Sequence, residues 1–300
     1  MTTMLQLVQQ ATAEMGLPVP TVVAGATSTD TIQQLGLLNA VGYEVTRQHP
    51  WQVLVRQNII TMATALSITA DTTINSATLT NVSSVAGIDT TFQISGTGLN
   101  QACYVSSVGV STIGVSQPAT SSNTGVTYTL SKSKFALPSD YDRQIDRTHW
   151  DKSKHWEMLG PETAQQWEWL ISGYISTGPR IRYRIFGNFF QIWPMVTTAE
   201  VLGFEYLSKA WAADSGGTAK NSFTADTDTC IFSDRLMVLG LKKKYFQIKG
   251  FDSSAFERDY QIELDISKAN DAGSATLAMA PRQSNVLINW NQIPDSNYGS

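Results

Sequence analysis

Three histidines, His49, His149 and His155, are the imidazoles this 300-residue chain has for acid–base or metal chemistry. His149 and His155 lie among Asp146, Asp151 and Glu157, so one short stretch gathers residue types that can move a proton or hold a metal. Their spacing argues against such a site. HExxH-type and HxH-type patterns work because the interval sets two ligands on one face, and these histidines fit neither interval. A surface charge cluster is the simpler reading. There is no GxSxG, P-loop or GxGxxG, and Gly96-Thr97-Gly98 lacks the further glycine and following helix that would cradle a phosphate, so it reads as a turn. The carboxylate pairs Asp140/Asp142 and Asp226/Asp228 sit in turn-forming contexts and are explained by capping. No catalytic residue, cofactor or metal is expected.

The basic residues raise a different possibility. Arg180, Arg182 and Arg184 alternate along a strand-like run and so share one face, able to meet phosphates, a neighbouring subunit's carboxylates or water. Lys242, Lys243 and Lys244 form the second basic feature. With 21 Lys+Arg against 25 Asp+Glu the net charge is −4, so subunit contacts or solvation are favoured over DNA readout. Trp150, Trp156, Trp167, Trp169, Trp193 and Trp211 crowd the same half of the chain, and large aromatics at this periodicity build cores or oligomer interfaces. Arg180, Arg182, Arg184 and Trp193 are the candidate inter-subunit residues.

These residues must be carried by regular elements. Met4, Leu5, Val8, Ala11 and Met15 have helical spacing, closed by Gly16 and Pro18, and a second helix runs from the Ser28-Thr29-Asp30 caps to His49-Pro50. A strand, entered directly or through a short turn, is expected between Trp51 and Met62. PETAQQWEWLISGYI reads as a helix starting at Pro161, RIRYRIFGNFFQIWP as a hairpin turning at Gly187-Asn188, and VLGFEYLSKAW as a third strand of that sheet. Residues 214–228 read as an exposed loop. Two helices follow, over 232–248 and from Phe251-Asp252 through Ile266, and residues 273–300 read as an extended tail.

From Ala65 to Leu130 the only carboxylates are Asp71 and Asp89, and the block carries no lysine or arginine. Its short Thr/Ile/Val runs, punctuated by glycines, indicate a small all-β module of sandwich or barrel type inserted into the rest. The domains read as 1–65 with 131–272, 66–130, and 273–300, and the fold as α+β: a helical bundle with a small antiparallel sheet plus the inserted β domain. Cys103 and Cys230 suggest apolar fillers rather than a disulfide or zinc framework. The N-terminus lacks the pattern of a secretory signal and no segment is apolar enough to span a membrane, so synthesis in the cytoplasm is expected.

One succession of segments resembles a known family. Two helices, His49-Pro50-Trp51, a strand, FALPSDYDRQI (135–145), RYRIFGNFFQIWP (182–194), FEYLSKAW (204–211) and the helical DRLMVLGLKKKYFQIKGFD (234–252) together resemble the head-to-tail adaptors of tailed bacteriophages, also called tail tubular protein A-like or head completion proteins. That resemblance implies a virion protein, forming a ring, usually twelve-fold, between the portal protein and the tail nozzle or tube. Double-stranded DNA would pass through its lumen without sequence-specific binding. It also implies that the C-terminal segment docks on the portal, here through Val286, Leu287, Ile288, Trp290 and Ile293. In the plain family pattern the strand after HPW runs by a short turn into the LPxDY stretch, which makes KFALPSDYD the partner of the strand before Leu66. Two other readings compete: a carbohydrate- or receptor-binding tail protein using the β block, and a peptidoglycan hydrolase using Glu157 or Glu162.

Overall fold

The apolar spacing of the first fifty residues becomes two helices, α1 (Met4–Glu14) and α2 (Thr29–Gln48), in a computed structural model that describes residues 2–172 and 180–272. Thr3 and Gln6 cap α1 reciprocally, each side chain accepting from the other's backbone amide. After α2, Pro50 turns the chain, and Trp51 Nε1 donates to the Val45 carbonyl at 2.7 Å, satisfying a group that the helix end leaves open.

A short 3₁₀ turn, Gln52–Leu54, leads into β1 (Val55–Thr61). Six strands follow: β2 (Leu66–Thr72), β3 (Thr78–Leu79), β4 (Phe92–Ser95), β5 (Cys103–Val108), β6 (Ile113–Val115) and β7 (Asn123–Lys132). They pair in the order β2-β7-β4-β5-β6-β3. Asp71 and Thr80 exchange two backbone hydrogen bonds, of 2.8 and 3.0 Å, joining the first strand to the last, so the sheet closes as a small barrel around Ile68, Leu79, Ile94, Ile113 and Leu130. Leu66 and Leu130 are register partners, so the chain enters and leaves the barrel at adjacent points.

Beyond the barrel come β8 (Lys134–Ala136), β9 (Tyr141–Gln144), β10 (Trp150–Asp151), β11 (Trp156–Glu157), α3 (Ala164–Ile171), β12 (Arg182–Phe186), β13 (Phe189–Trp193) and β14 (Val201–Ser208). Gly187 and Asn188 both have left-handed backbone, φ 57° and 67°, as a two-residue turn joining β12 to β13 requires. The hairpin takes β8 as its third strand. β14 is the middle of a different sheet: it pairs with β1 from Val55↔Leu207 to Thr61↔Val201 and takes β9 and β10 on its other side. The two sheets stack, with Leu202, Phe204 and Tyr206 of β14 packed against Tyr183, Phe190 and Ile192 of the hairpin.

Next come a three-stranded sheet in which β15 (Ala212–Ala213) lies between β16 (Ala219–Lys220) and β17 (Thr229–Cys230), and the helices α4 (Asp234–Lys249) and α5 (Ser254–Ala272). α1, α2 and α5 pack on α4 around Leu7, Leu38, Leu236, Leu241 and Leu264. A Cβ at Gly42 would lie 2.3 Å from the Trp211 indole, so glycine is what lets that fully buried ring rest on α2.

Several expectations are corrected. The described residues form seventeen strands in four sheets against five α-helices, so the molecule is mostly β and not a helical bundle with a small sheet. Strands as short as Trp150–Asp151 and Trp156–Glu157 carry no readable period, and tertiary pairing decides them. The segment containing FEYLS belongs to the β1 sheet, not the hairpin sheet. The strands flanking the barrel, β1 and β8, do not pair with each other, since β1 pairs with β14 and β8 with β13. Pro161 precedes α3 without starting it: Thr163 is the cap, accepting from Gln166 N at 3.2 Å. Residues 214–228 are the largely exposed, turn-rich stretch expected, with the short β16 and the bonded segment around Asp228 within it.

Candidate functional site

The 146–157 stretch is split by the fold. His149 is 1% exposed between the two stacked sheets, its ring 4.0 Å from that of Tyr183 and 5.0 Å from that of Phe204. Its Nδ1 lies 3.0 Å from the Tyr183 hydroxyl. Burial pushes its pKa down to about 4, against an opposing pull from Asp146, and the same burial pushes the Tyr183 phenol up. Asp151 is buried as well, its Oδ1 accepting from Ser153 N at 3.0 Å and Lys154 N at 3.1 Å. Burial first, and then the Glu200 carboxylate, raises its pKa. Glu200 in turn is held by Lys154 Nζ at 2.5 Å and Thr198 Oγ1 at 2.8 Å.

His155 occupies the β10–β11 turn with a left-handed φ of 57° and lines an open groove with Gln57, Arg147, Trp150, Lys152 and Glu205. His49, at the end of α2, lies 3.6 Å from Asp271. Among the described residues, no three His, Cys, Asp or Glu side chains come close enough to hold a metal ion. Glu162 accepts from Arg182 at 2.6 Å. Both cysteines are free and buried, and burial pushes the Cys230 thiol up to about 12.

The basic features are largely spent within the chain. Lys242 pairs with Glu14 at 2.8 Å and Lys243 with Glu257 at 3.2 Å, while Lys244 meets Glu44 and Lys249 meets Asp30, so these cations tie α4 to α1, α2 and α5. Arg184 lies 5.1 Å over the Phe186 ring, and Arg180 is exposed. Trp193, a candidate inter-subunit residue by its sequence, is 4% exposed within the single chain, packed with Trp167 and Leu170 of α3 and with Ala102 and Tyr104 of the barrel. It seats the barrel and is already covered. Trp169 and Trp156 are the exposed indoles of the group. Val286, Leu287, Ile288, Trp290 and Ile293 lie outside the described residues.

The segments that carry the adaptor resemblance meet in space. Asp140 of LPSDYD accepts from Tyr206 Oη at 2.9 Å and Ser208 Oγ at 2.6 Å, both from the FEYLS strand, and the Tyr141 and Tyr206 rings lie 5.7 Å apart. Trp51 of HPW packs 5.2 Å from Phe232, just ahead of α4. Exposed apolar side chains remain on the helices: Ile262 and Ile266 one turn apart on α5, and Ile248 and Phe251 at the α4–α5 corner. The sequence marks Asp228 as a turn-capping residue and marks neither its burial nor that of Glu200, because nothing local shows a carboxylate to be buried. No protein-family model matches the sequence, and no curated protein matches it either. Among the described residues no helix is long and apolar enough to cross a membrane.

Proposed function

We propose that the chain is a structural head-to-tail adaptor of a tailed-bacteriophage virion, assembling as a ring, of the twelve-fold kind, between a portal protein and a tail nozzle or tube. The ring extends and seals the channel through which double-stranded DNA passes. The observation that carries this reading is the mutual anchoring of its motif segments, with Asp140 held by Tyr206 and Ser208 and Trp51 set against Phe232. The order that suggested the family is an order of pieces that hold one another.

Two further observations support it. The Lys242–Lys249 cations are neutralised by carboxylates of the same chain, which suits a lumen that lets DNA slide. Ile262 and Ile266 leave α5 with apolar surface for a neighbouring subunit, and Arg180 and Arg184 remain available at the hairpin. The test is electron microscopy of the purified chain mixed with its portal. A closed ring seated on the portal is expected, and a single off-axis copy overturns the reading.

A further inference from the structure

β1 is an edge strand of its sheet, and among the described residues no strand pairs with its outer side. Met62 N donates to Glu200 O at 2.8 Å in register with the β1–β14 pairing. Backbone direction alternates along an antiparallel pair, so Arg56, Asn58 and Ile60 turn their amides and carbonyls toward β14, and Gln57, Ile59 and Thr61 turn theirs away. The partner strand agrees: the carbonyls of Val201 and Glu205, opposite Thr61 and Gln57, accept from Lys152 N and Ile145 N on β14's far side. Among the described residues, no hydrogen bond reaches the outward backbone groups of Gln57, Ile59 and Thr61. The edge carries none of the usual protection. It has no proline and no bulge, its one charge is Arg56, and Ile59 stands 54% exposed at its middle.

The chain itself supplies a strand within reach. Asp271, in the last turn of α5, accepts from Gln52 N at 2.7 Å and Val53 N at 3.3 Å, so the described chain ends at the root of β1. Residues 273–300 follow, and within them 286–290 read Val-Leu-Ile-Asn-Trp, an apolar run bracketed by Pro281 and Pro294. The segment between Ala272 and Val286 can span about 45 Å when extended, against about 23 Å for the whole of β1. We propose that residues 286–290 add as a strand to the free edge of β1 in the same chain, with Gln57, Ile59 and Thr61 as the backbone they bond. This stands on the geometry of β1 and the root of the tail and does not require the adaptor reading. Within that reading, a portal that takes the tail must first displace it from β1.

Amide hydrogen exchange in the full-length chain, at concentrations where it is monomeric, tests the proposal. The amides of Gln57, Ile59 and Thr61 are expected to exchange roughly tenfold or more slowly in the native chain than in full-length Ile288→Pro, which removes a donor from the added strand. Equal exchange in the two overturns the proposal, and so does protection that grows with chain concentration, which marks a second copy's strand. Independently of that variant's folding, Ile59→Cys combined with single cysteines at 286 to 290 is expected to form intrachain disulfides with a period of two. Absence of cross-links, or cross-links only between chains, overturns it.

Discussion

The hydroxyl of Tyr183 meets Nδ1 of His149 at 3.0 Å, and the two rings stack where Phe190 and Phe204 pack the two sheets together. The imidazole is therefore a folding group with a titration attached. Its folded pKa, about 4, lies below the ordinary histidine value, so between the two the unfolded chain binds the extra proton. Stability is expected to be complete above the unfolded value and to fall as pH drops through the folded one.

Thermal melts between pH 7 and pH 4 check this against His149→Phe/Tyr183→Phe, which refills the stack without stranding a buried hydroxyl. The variant is expected to lose much of the decline. Asp151, whose carboxyl is raised by burial, works in the opposite sense at the acid end and is present in both proteins. If both decline alike, His149 is not the group responsible.

The barrel is expected to be removable. Leu66 and Leu130 are paired across adjacent strands, so a short Gly/Ser turn replacing 66–130 spans a gap of about 5 Å. The remainder is expected to unfold cooperatively, and Trp193 and Trp167 to show red-shifted fluorescence once Ala102 and Tyr104 no longer cover them. In the intact chain, Trp193→Ala is expected to cost about 3–5 kcal/mol in denaturant unfolding. A deletion variant without a cooperative transition makes the barrel part of the core.

How far the sequence revealed the structure depends on the length of each pattern. The two N-terminal helices, the Gly187-Asn188 hairpin and the short strands of the barrel stand where spacing and turn residues put them. The partners of β14 were hidden. Its alternation of Leu202, Phe204 and Tyr206 announces a strand, but nothing within it says that Val55–Thr61, far off in sequence, lies beside it. The lysines of α4 stand in the sequence as a basic run, whereas each has a carboxylate from another helix, a pairing only tertiary packing creates. Trp193 shows the same limit: its size marks it as a contact residue and leaves open which surface it contacts.

Asp228 holds residues 220–228 together from a fully buried position, accepting from Lys220 Nζ at 2.9 Å, Thr224 N at 2.7 Å and Ala225 N at 2.9 Å. Burial alone would raise its pKa, and Lys220 with the two amides overcomes that and holds it below the usual value. Asp228→Ala strands a cation and two amides and is expected to destabilise by about 3 kcal/mol, toward the low end for a broken buried pair because Lys220 keeps a path to solvent. Since the folded pKa is depressed, this contribution is present above the ordinary carboxylate range and lost as pH falls through the folded value. Urea unfolding at pH 7 and near pH 3 separates the two effects, and a variant as stable as the native chain at pH 7 refutes the assignment.

The exposed face of α5 tests assembly without disturbing the fold. Ile262 and Ile266 lie one turn apart on a helix whose buried side is held by Tyr260 and Leu264, so aspartates at both positions remain in water in the isolated chain. Melting is expected to change by no more than about 0.5 kcal/mol at each site, as is usual for surface substitutions. In the proposed ring the same side chains would meet a neighbour, where an apolar anchor is worth on the order of 2 kcal/mol and a desolvated carboxylate costs more. Ile262→Asp/Ile266→Asp is therefore expected to stay folded and monomeric and to fail to form rings on the portal. A ring of the proposed kind would close over many identical contacts, so a modest loss at each interface would become a near-complete loss of the assembly. Sedimentation of the variant with portal, beside a melting curve of the variant alone, reads both quantities. Rings of native yield would move the subunit interface off α5, and a large drop in melting temperature would mean that the face is covered within the chain.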